Sequence, residues 1–376
     1  MIQRVGVIGG GQLAWMMAGA AKQLDLELIV QTPHADDPAV GVATEVILAP
    51  VGDAQATGRL AQKCDVITFE NEFVDLEALF YLKNQGVRFA PSLESLKPLL
   101  DKYHQREYLA SIGLPVPLFT ALVDPTEPLD FTFPLVLKAR RHGYDGQGTF
   151  IIKSSDELIN TYNQLKSVPL LIEEFIPYTQ ELAVIAARND SGEVVVYPVV
   201  ETQQKNQVCH RVIVPAQVSL KIQSQVEDLS RHLLNELQAV GVFGIELFLT
   251  PDETILVNEI APRTHNSGHY TLDACKISQF EMQLRSVAGL PLGTANLNCD
   301  AAVMVNLLGY EEAHHDYAEK RKTLASIPNA YVHWYGKTES RPGRKLGHVT
   351  VKATGNQANY SKLLKIADTI ENLWYS

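Results

Sequence analysis

The sequence predicts a three-part α/β protein, with an N-terminal parallel-sheet (Rossmann-like) domain, an α+β domain and a small C-terminal β-rich domain. Three observations carry this prediction. The chain has 376 residues, which is too long for one ordinary core. Short apolar runs alternate with helical patterns in the first 90 residues, whereas later runs follow one another as in antiparallel sheets. We place the domains at 1–100, 101–295, with a central subdomain at about 115–178, and 296–376.

Five apolar runs and two helical patterns predict the N-terminal domain. The helical patterns cover residues 12–24 and about 76–84, and the runs read VGVIG, ELIVQ, EVILA, DVITFE and VRFAP. Strands that alternate with helices in this way form parallel sheets covered on both faces. We therefore expect a parallel sheet with helices on both sides.

A glycine-rich turn, Gly9-Gly10-Gly11, joins the first strand to the first helix. It matches part of a dinucleotide-binding fingerprint and leaves backbone N–H groups for a phosphate. Glycines that serve only a tight turn are the alternative. The second strand ends in Gln31, where such proteins place an acidic residue that holds a ribose. This difference disfavours a dinucleotide-dependent dehydrogenase.

The α+β domain begins after a helical linker at residues 91–117, in which Lys102 and Arg106 lie one helical turn apart on the same face. The strands FPLVLKAR and TFIIK then flank a loop, 143–149, that contains three glycines, and a helix at about 156–165 leads to LLIEEF. Such a loop can close over phosphates, although it lacks the Gly-Lys-Ser/Thr ending of a Walker loop. Lys138 precedes the loop and could reach the same anion, and a flexible hairpin beside a solvated lysine is the alternative.

The strands ELAVIAAR, EVVVYPVVE and VCHRVIVPA follow and predict an antiparallel sheet. A long amphipathic helix at about 220–240 is expected to pack on it.

A hairpin formed by GIELFLT and TILVNEIA places two carboxylates opposite each other. A four-residue loop pairs Thr250 with Ile255 and therefore Glu246 with Glu259. Opposed carboxylates repel and need a counter-charge, and hard oxygen ligands near phosphates favour Mg²⁺. Two unrelated surface glutamates are the alternative.

The hairpin leads into the polar segment 257–271, VNEIAPRTHNSGHYT, in which Arg263, His265, Asn266 and His269 crowd into a turn. Loops that hold convergent polar groups on a rigid scaffold often carry chemistry, so this segment is a candidate active-site floor. A polar surface loop is the alternative. The spacer between the two histidines, Asn-Ser-Gly, is not the helical spacer of a zinc motif, and a zinc site is therefore disfavoured.

The C-terminal tail contains AAVMVNLLG, YVHWYGK, GHVTVKAT and a final helix. Arg341, Arg344 and Lys345 cluster between its strands, and Lys337 lies just upstream. In an acidic protein such a cluster favours an anion site, and a solvated basic turn is the alternative.

Composition limits the possible partners. A formal net charge of −11 argues against nucleic-acid binding but is compatible with small anionic substrates. Four scattered cysteines without a CxxC pair fit a reducing cytoplasm. The first apolar run is ended by glycine almost at once, so we expect a strand there and no signal peptide, and we find no run of the ~20 apolar residues that a membrane span needs.

With the glycine loop, the paired glutamates and the polar floor in this order, the chain resembles the ATP-grasp superfamily. NEIAPRTHNSGHYT and HWYGKTESRPGRKLGHVT are, more closely, similar to the 5-(carboxyamino)imidazole ribonucleotide synthases, and the match runs nearly end to end. The resemblance implies a three-domain homodimer that uses ATP and bicarbonate to carboxylate 5-aminoimidazole ribonucleotide through carboxyphosphate. The formate-using ATP-grasp glycinamide ribonucleotide transformylases are the alternative within the superfamily, and a non-catalytic nucleotide-binding module is a third possibility.

The resemblance also implies roles for individual residues. Lys102, Lys138 and Asn258 would lie at the nucleotide phosphates, and the covering loop would be Gly143, Tyr144, Asp145, Gly146, Gln147, Gly148 and Thr149. The adenine and ribose would contact Glu173, Glu174, Phe175, Ile176 and Glu181, and Glu246 and Glu259 would bind Mg²⁺. The bicarbonate and amine would meet Arg263, His265, Asn266, Tyr144 and Asp145. The ribonucleotide and its phosphate would contact Gly11, Gln12, Leu13, Glu72, Lys337, Arg344 and Lys345.

Two positions are open. Gln204 stands where the family commonly has a histidine near the nucleotide, and Glu72 is favoured over Glu70 as the substrate-facing acid. The sequence does not decide which of His265 and His269 transfers a proton.

Overall fold

The computed structural model describes residues 2–127, 129–141, 148–165 and 168–376. The N-terminal region forms the predicted parallel sheet, with strand order β3-β2-β1-β4. Its elements are β1 (Arg4–Ile8), α1 (Gln12–Gln23), β2 (Glu27–Thr32), β3 (Glu45–Leu48), α2 (Ala54–Ala61), β4 (Val66–Phe69) and α3 (Leu76–Asn84). β4 and all but the first residue of β1 and of β2 are buried, as expected for a sheet covered on both faces.

Two details of this region differ from the sequence prediction. VRFAP forms a single parallel bridge between Phe89 and Ile67 instead of a strand, because Ser92 already caps the next helix. Helix α2 was not predicted. The sequence did contain a signal for the start of α2, because Asp53 is a preferred N-cap residue. Its side chain accepts hydrogen bonds from the backbone N–H groups of Gln55 and Ala56.

The linker is helical, as predicted, and consists of α4 (Leu93–Leu96), a 3₁₀ turn at Lys97–Leu99 and α5 (Lys102–Ser111). Asp101 caps α5 by accepting a hydrogen bond from the N–H of Tyr103 at 2.9 Å. This cap fixes where α5 starts, so that Lys102 and Arg106 reach the carboxylates described below.

A four-stranded antiparallel sheet follows, with strand order β5-β8-β6-β7. It comprises β5 (Phe119–Leu122), β6 (Leu135–Ala139), β7 (Thr149–Ile152), α6 (Ser155–Gln164) and β8 (Leu170–Glu174). Only β5 was not predicted. Leu135, Leu137 and Ile172 form part of the core of this sheet.

The largest sheet has nine strands, with the order β14-β13-β9-β11-β12-β15-β19-β17 and β10 paired with β9. Its first part contains β9 (Gln180–Arg188), β10 (Val194–Val196), β11 (Val200–Lys205), β12 (Val208–Val214), α7 (Leu220–Glu236), β13 (Gly241–Leu249) and β14 (Ile255–Ala261). The predicted strand EVVVYPVVE is two strands, since Pro198 lies between β10 and β11 and has no N–H to donate. Helix α7 buries Val226, Leu233 and Leu234 in the core beneath this part of the sheet.

The C-terminal strands continue this sheet through β15, which pairs with β12. The remaining elements are α8 (Thr271–Ala274), α9 (Gln279–Ala288), β15 (Ala301–Leu308), β16 (Ala313–His314), α10 (Ala318–Ala325), β17 (Ala330–Trp334), β18 (Glu339–Ser340), β19 (Lys345–Ala353) and α11 (Tyr360–Tyr375). Helices α8 and α10 and the short strands β16 and β18 were not predicted. The predicted domain boundaries stay predictions. In the described part of the chain, every helix is too short or too polar to cross a membrane.

Candidate active site

One cavity of about 1520 Å³ brings together residues that are far apart in the sequence. Its wall includes the turn after β1, the ends of β6 and β8, both strands of the β13–β14 hairpin, the floor segment and the start of β19. Most of the site residues predicted from the sequence and described by the structure line it. Their individual roles stay predictions.

The paired glutamates have the predicted partners, but the predicted turn register is wrong. Leu249, not Thr250, pairs with Ile255, and the register then shifts by one residue between Glu246 and Leu247. Because Asn258 is the extra residue of this β-bulge, Glu246 again faces Glu259. The two errors of one residue cancel, and a bulge next to a functional site is a recurrent feature of β-hairpins.

The environment of the pair makes one carboxylate hard to ionise. Burial, and then the charge of Glu259, raise the pKa of Glu246 to about 7. Burial alone would raise the pKa of Glu259 as well, but Lys102, whose Nζ lies 2.5 Å from Glu259 Oε2, holds this pKa below its ordinary value. The pair thus has the hard oxygen donors and the excess negative charge that a divalent cation requires.

A buried ion network lies beside the glutamates. The Glu173 carboxylate binds two cations, with Arg106 Nε at 2.5 Å and Lys138 Nζ at 2.6 Å. Burial would raise the pKa of Glu173, but the charges of Lys138 and Arg106 lower it to about 2. Glu173 was predicted to line the adenine pocket. It does lie at the cavity wall, with both oxygens held by cations.

Arg106 was not among the predicted site residues. Its Nη2 donates a hydrogen bond of 2.6 Å to the carbonyl oxygen of Asn258, the bulge residue. Lys138 Nζ donates to Asn258 Oδ1 at 3.2 Å. The one-turn spacing of Lys102 and Arg106 was the available signal. This spacing did not reveal the bulge at Asn258, which Arg106 of α5 and Lys138 of β6 both contact.

The predicted adenine and ribose side is a second part of the cavity wall. Glu174 Oε1 accepts a hydrogen bond from the N–H of Leu118 at 2.8 Å, and Phe175 is 37% exposed beside the buried Ile176. Burial raises the pKa of Glu181, and hydrogen bonds from Tyr178 and Gln204 oppose this rise. Gln204 therefore contacts Glu181, the residue predicted to hold the ribose.

Two aromatic residues on this side were not predicted. Tyr178 and Phe248 stack with their ring centroids 4.8 Å apart and an interplanar angle of 4°. Both line the cavity.

The glycine loop is described only at its end. Gly148 has a φ of 81°, and its carbonyl oxygen accepts a hydrogen bond from the N–H of Ala139 at 2.7 Å. Thr149 lines the cavity. The predicted residues Gly143, Tyr144, Asp145, Gly146 and Gln147 lie outside the described residues.

The floor segment is held by neighbouring elements. Arg263 Nε lies 2.9 Å from Glu72 Oε1, which joins the floor to the N-terminal domain. His265 Nε2 lies 3.6 Å from Glu246 Oε1. Asn266 exchanges two side-chain hydrogen bonds, of 2.9 and 2.7 Å, with Asn306 of β15, a buried partner that the sequence did not reveal.

Two N–H groups at the glycine turn already have an acceptor within the protein. The N–H groups of Gly11 and Leu13 donate to the Glu70 carboxylate at 2.6 and 2.9 Å. A Cβ at Gly11 would lie 2.6 Å from Glu70 Oε1, and a Cβ at Gly10 would lie 2.5 Å from Thr32. Gly11 therefore makes room for the Glu70 carboxylate, which caps the start of α1, and Gly10 makes room for the Thr32 side chain.

The predicted basic residues are not equivalent. Lys345 lines the cavity. Lys337 Nζ donates to Gln12 Oε1 at 3.0 Å, which links the C-terminal region to the glycine turn. Arg344 Nη1 donates to the carbonyl oxygen of Glu339 at 2.9 Å, and Arg344 is absent from the cavity wall formed by the described residues.

Three family models match the chain in sequence order. They are the ribonucleotide synthetase preATP-grasp domain at residues 2–98, the ATP-grasp domain at 107–280 and the phosphoribosylaminoimidazole carboxylase C-terminal domain at 302–360. A relative from Synechococcus elongatus, an N5-carboxyaminoimidazole ribonucleotide synthase, is 55% identical over 358 residues, which cover 94% of this chain and 90% of the relative.

Solved structures agree with these matches. The carboxyaminoimidazole ribonucleotide synthase from Aspergillus clavatus in complex with ATP has a TM-score of 0.91 and 33% identity, and the match covers 99% of each chain. The Aspergillus clavatus N5-carboxyaminoimidazole synthase in complex with ADP and 5-aminoimidazole ribonucleotide has a TM-score of 0.90 and 32% identity, over 98% of this chain and 99% of that one.

Proposed function

The chain belongs to the N5-carboxyaminoimidazole ribonucleotide synthase family of the ATP-grasp superfamily, and we propose that the cavity described above carries both half-reactions of that family. It is an ATP-dependent carbon–nitrogen ligase of purine biosynthesis. It carboxylates 5-aminoimidazole ribonucleotide with bicarbonate to 5-(carboxyamino)imidazole ribonucleotide, and ADP and phosphate are released.

The nucleotide occupies the β6, β8 and hairpin side of the cavity. Lys102 and Lys138 bind the phosphates, and this role is supported by their position at the cavity wall beside the Glu246–Glu259 pair. The base and ribose contact Phe175, Glu181 and Gln204 together with Glu174 and Ile176, which all line the cavity. Residues 143–149 cover the phosphates and exclude water, because carboxyphosphate is short-lived in water.

Glu246 and Glu259 would hold Mg²⁺. The fit is supported by two opposed carboxylates at the cavity wall and by the raised pKa of Glu246, whose causes are burial and then the charge of Glu259. When bound, the ion neutralises charge on the nucleotide phosphates and on the γ-phosphoryl group during transfer.

The bicarbonate and the amine meet above the floor. A bicarbonate oxygen attacks the γ-phosphorus, the bond to ADP breaks and carboxyphosphate forms. The exocyclic amine then bonds to the carboxyl carbon, either of carboxyphosphate or of the CO₂ it releases, while phosphate leaves and the amine loses a proton. Arg263, oriented by Glu72, binds the planar carboxylate with its guanidinium fork, and His265 and Asn266 lie beside it at the cavity wall. We also assign substrate contacts to Tyr144 and Asp145.

The ribonucleotide lies between the glycine turn and β19. Lys345 and Lys337 bind its phosphate, and residues 11–13 border it. The support is the Lys337–Gln12 hydrogen bond of 3.0 Å, which brings the two predicted phosphate-binding segments together. Arg344 is assigned a weaker contribution, because its guanidinium is held by the carbonyl oxygen of Glu339.

The resemblance to the family and the acidic composition also favour a cytoplasmic homodimer that does not bind nucleic acid. Light scattering in solution would test the dimer directly.

One observation carries the assignment of the chemistry. The Glu246–Glu259 pair, the cations on α5 and β6 and the Arg263–Glu72 floor face one cavity. The decisive experiment measures ADP release and requires that it depend jointly on bicarbonate and 5-aminoimidazole ribonucleotide. Turnover that needs formate and not bicarbonate would identify the transformylase alternative.

A further inference from the structure

Gln279, the first residue of α9, contacts both histidines of the floor with a fully buried side chain. Its Oε1 accepts a hydrogen bond from the backbone N–H of His265 at 2.9 Å. Its Nε2 donates to the carbonyl oxygen of His265 at 2.8 Å and lies 3.1 Å from His269 Nδ1.

The backbone of His265 fixes the orientation of this carboxamide. A backbone N–H can only donate and a carbonyl oxygen can only accept, so Oε1 must face the first and Nε2 the second. The second hydrogen of the same NH₂ group then points at His269 Nδ1, which has to accept it. A neutral imidazole that accepts at Nδ1 carries its proton on Nε2.

We propose that Gln279 is a positioning residue that keeps His269 neutral as its Nε2–H tautomer, so that His269 serves the floor only as a hydrogen-bond donor. A proton on Nδ1 would set an N–H against the NH₂ group of Gln279. The inference rests on the proposed assignment of this floor to the bicarbonate and amine half-reaction.

The other groups around His269 also favour its neutral form. The ring of His348 on β19 lies 5.2 Å away, and the rings of Phe280 and Tyr335 lie 5.6 and 6.4 Å away. Burial, and then the positive charges of Lys345, His265, His333 and Arg263, lower the pKa of His269 well below its ordinary value.

The backbone is adapted to this contact. A Cβ at Gly268 would lie 2.6 Å from Gln279 Oε1, so only glycine leaves room for the carboxamide. The N–H of Gln279 donates to Thr271 Oγ1 at 2.9 Å, and that hydroxyl donates to the carbonyl oxygen of Gly268 at 2.6 Å. Hydrogen bonds therefore join the floor segment directly to the start of α9.

The first test is a ¹⁵N spectrum of the full-length chain labelled at histidine. We expect His269 to show an unprotonated Nδ1 and a protonated Nε2 throughout the range from about pH 5 to 8 in which an ordinary histidine titrates. A His269 that titrates in this range, or that carries its proton on Nδ1, overturns the proposal.

The second test compares Q279E with Q283E. Gln283 lies one turn further along α9, is equally buried, accepts from the N–H of Val242 at 2.6 Å and donates to Thr68 at 2.7 Å. In Q279E a carboxylate oxygen replaces the NH₂ group, so Nδ1 of His269 is expected to gain a proton at pH 7 and kcat to fall at least about tenfold. Q283E should cost similar stability but leave the His269 signals unchanged and kcat within about twofold of wild type.

An unchanged His269 spectrum in Q279E, or an equal loss of kcat in both variants, contradicts the positioning role. The spectra need no substrate. Failure of the proposed function would appear instead as wild-type chain that keeps the Nε2–H tautomer but shows no bicarbonate-dependent turnover.

Discussion

Glu246 and Glu259 face each other across the β13–β14 hairpin because Asn258 adds one residue to β14. Without this bulge, the register that starts at the turn would place Asn258 opposite Glu246. The bulge residue is itself held from two other elements, by Arg106 of α5 and Lys138 of β6. The position of the carboxylate pair therefore depends on contacts outside the hairpin.

The first prediction concerns the metal ligand. E259Q is expected to lower turnover by at least about 100-fold, because a neutral amide cannot replace the carboxylate that faces the phosphates. The substitution removes the ion pair with Lys102 as well as the repulsion from Glu246, so the melting temperature should fall modestly while the chain still folds. ADP release and thermal unfolding measure the two effects. Glu253, exposed in the same hairpin turn, gives the matched control E253Q, and unchanged ATPase activity of E259Q would refute the metal assignment.

The second prediction concerns the buried ion network. R106M is expected to lower the free energy of unfolding by about 3–5 kcal/mol, because Glu173 loses one of its two buried cations. The KM for ATP should rise as well, since the Asn258 carbonyl loses its donor. Denaturant unfolding and ATP kinetics check both effects. R231M is the control, because Arg231 forms an exposed ion pair with Glu227, and such pairs contribute less than about 1 kcal/mol. Equal costs in the two variants would contradict the network.

The third prediction separates two neighbouring acids. E70A is expected to cost about 1–3 kcal/mol of stability, because the N–H groups of Gly11 and Leu13 lose their acceptor. E72A should act mainly on the substrate kinetics, since it releases the Arg263 guanidinium at the cavity. Unfolding curves and the KM for 5-aminoimidazole ribonucleotide distinguish the two effects. The assignment is wrong if the effects are reversed.

The fourth prediction ranks two basic residues. K345A should raise the KM for 5-aminoimidazole ribonucleotide at least about tenfold, because Lys345 lies at the cavity wall and a charged hydrogen bond to phosphate is strong. R344A should raise it less, since Arg344 is held by Glu339. Steady-state kinetics at saturating ATP give the comparison. A larger effect of R344A than of K345A would mean that the phosphate binds at Arg344 instead of Lys345.

The fifth prediction is a pH dependence of stability. Burial alone would raise the pKa of Glu371, but Arg211 and Lys205 lower it from 4.5 to about 2. A carboxylate whose pKa is lowered by folding stabilises the protein fully above its unfolded pKa and loses this effect as the pH falls toward its folded pKa. E371Q should therefore cost about 1–3 kcal/mol at pH 7, and the difference from wild type should shrink between pH 4.5 and about 2. The control is D368N, which removes the exposed second partner of Arg211. A constant difference across this range would refute the ion-pair explanation.

The sequence predicted most elements because their signals are local. The periodicity of α1 and α3 and the alternation of β9 follow from neighbouring residues. The glycine-rich and polar motifs located the cavity wall for the same reason. The carboxylate pair of the hairpin was predicted only because the wrong turn register and the unpredicted bulge cancel. What the sequence predicted less well depends on partners that are distant in the chain.

Glu70 and Asn306 illustrate this limit. Glu70 lies 59 residues from Gly11, whose N–H it accepts, so the turn looked available for a phosphate. Asn306 lies 40 residues from Asn266 within an apolar strand, and no local signal connects the two amides. Arg106 and Gln279 were missed for the same reason. A polar side chain that supports a functional residue is recognised only when the fold brings the two together.

The continuous sheet sets the order in which the enzyme can be completed during synthesis. β12, at residues 208–214, gains its second neighbour only when β15, at residues 301–308, has been made, and β15 in turn needs β19, which ends at residue 353. A nascent chain that has been made as far as β14 contains all strands on the nucleotide side of the cavity. It still lacks Lys345 and also Asn306, which holds Asn266 of the floor. The active site can be completed only when almost the entire chain has left the ribosome.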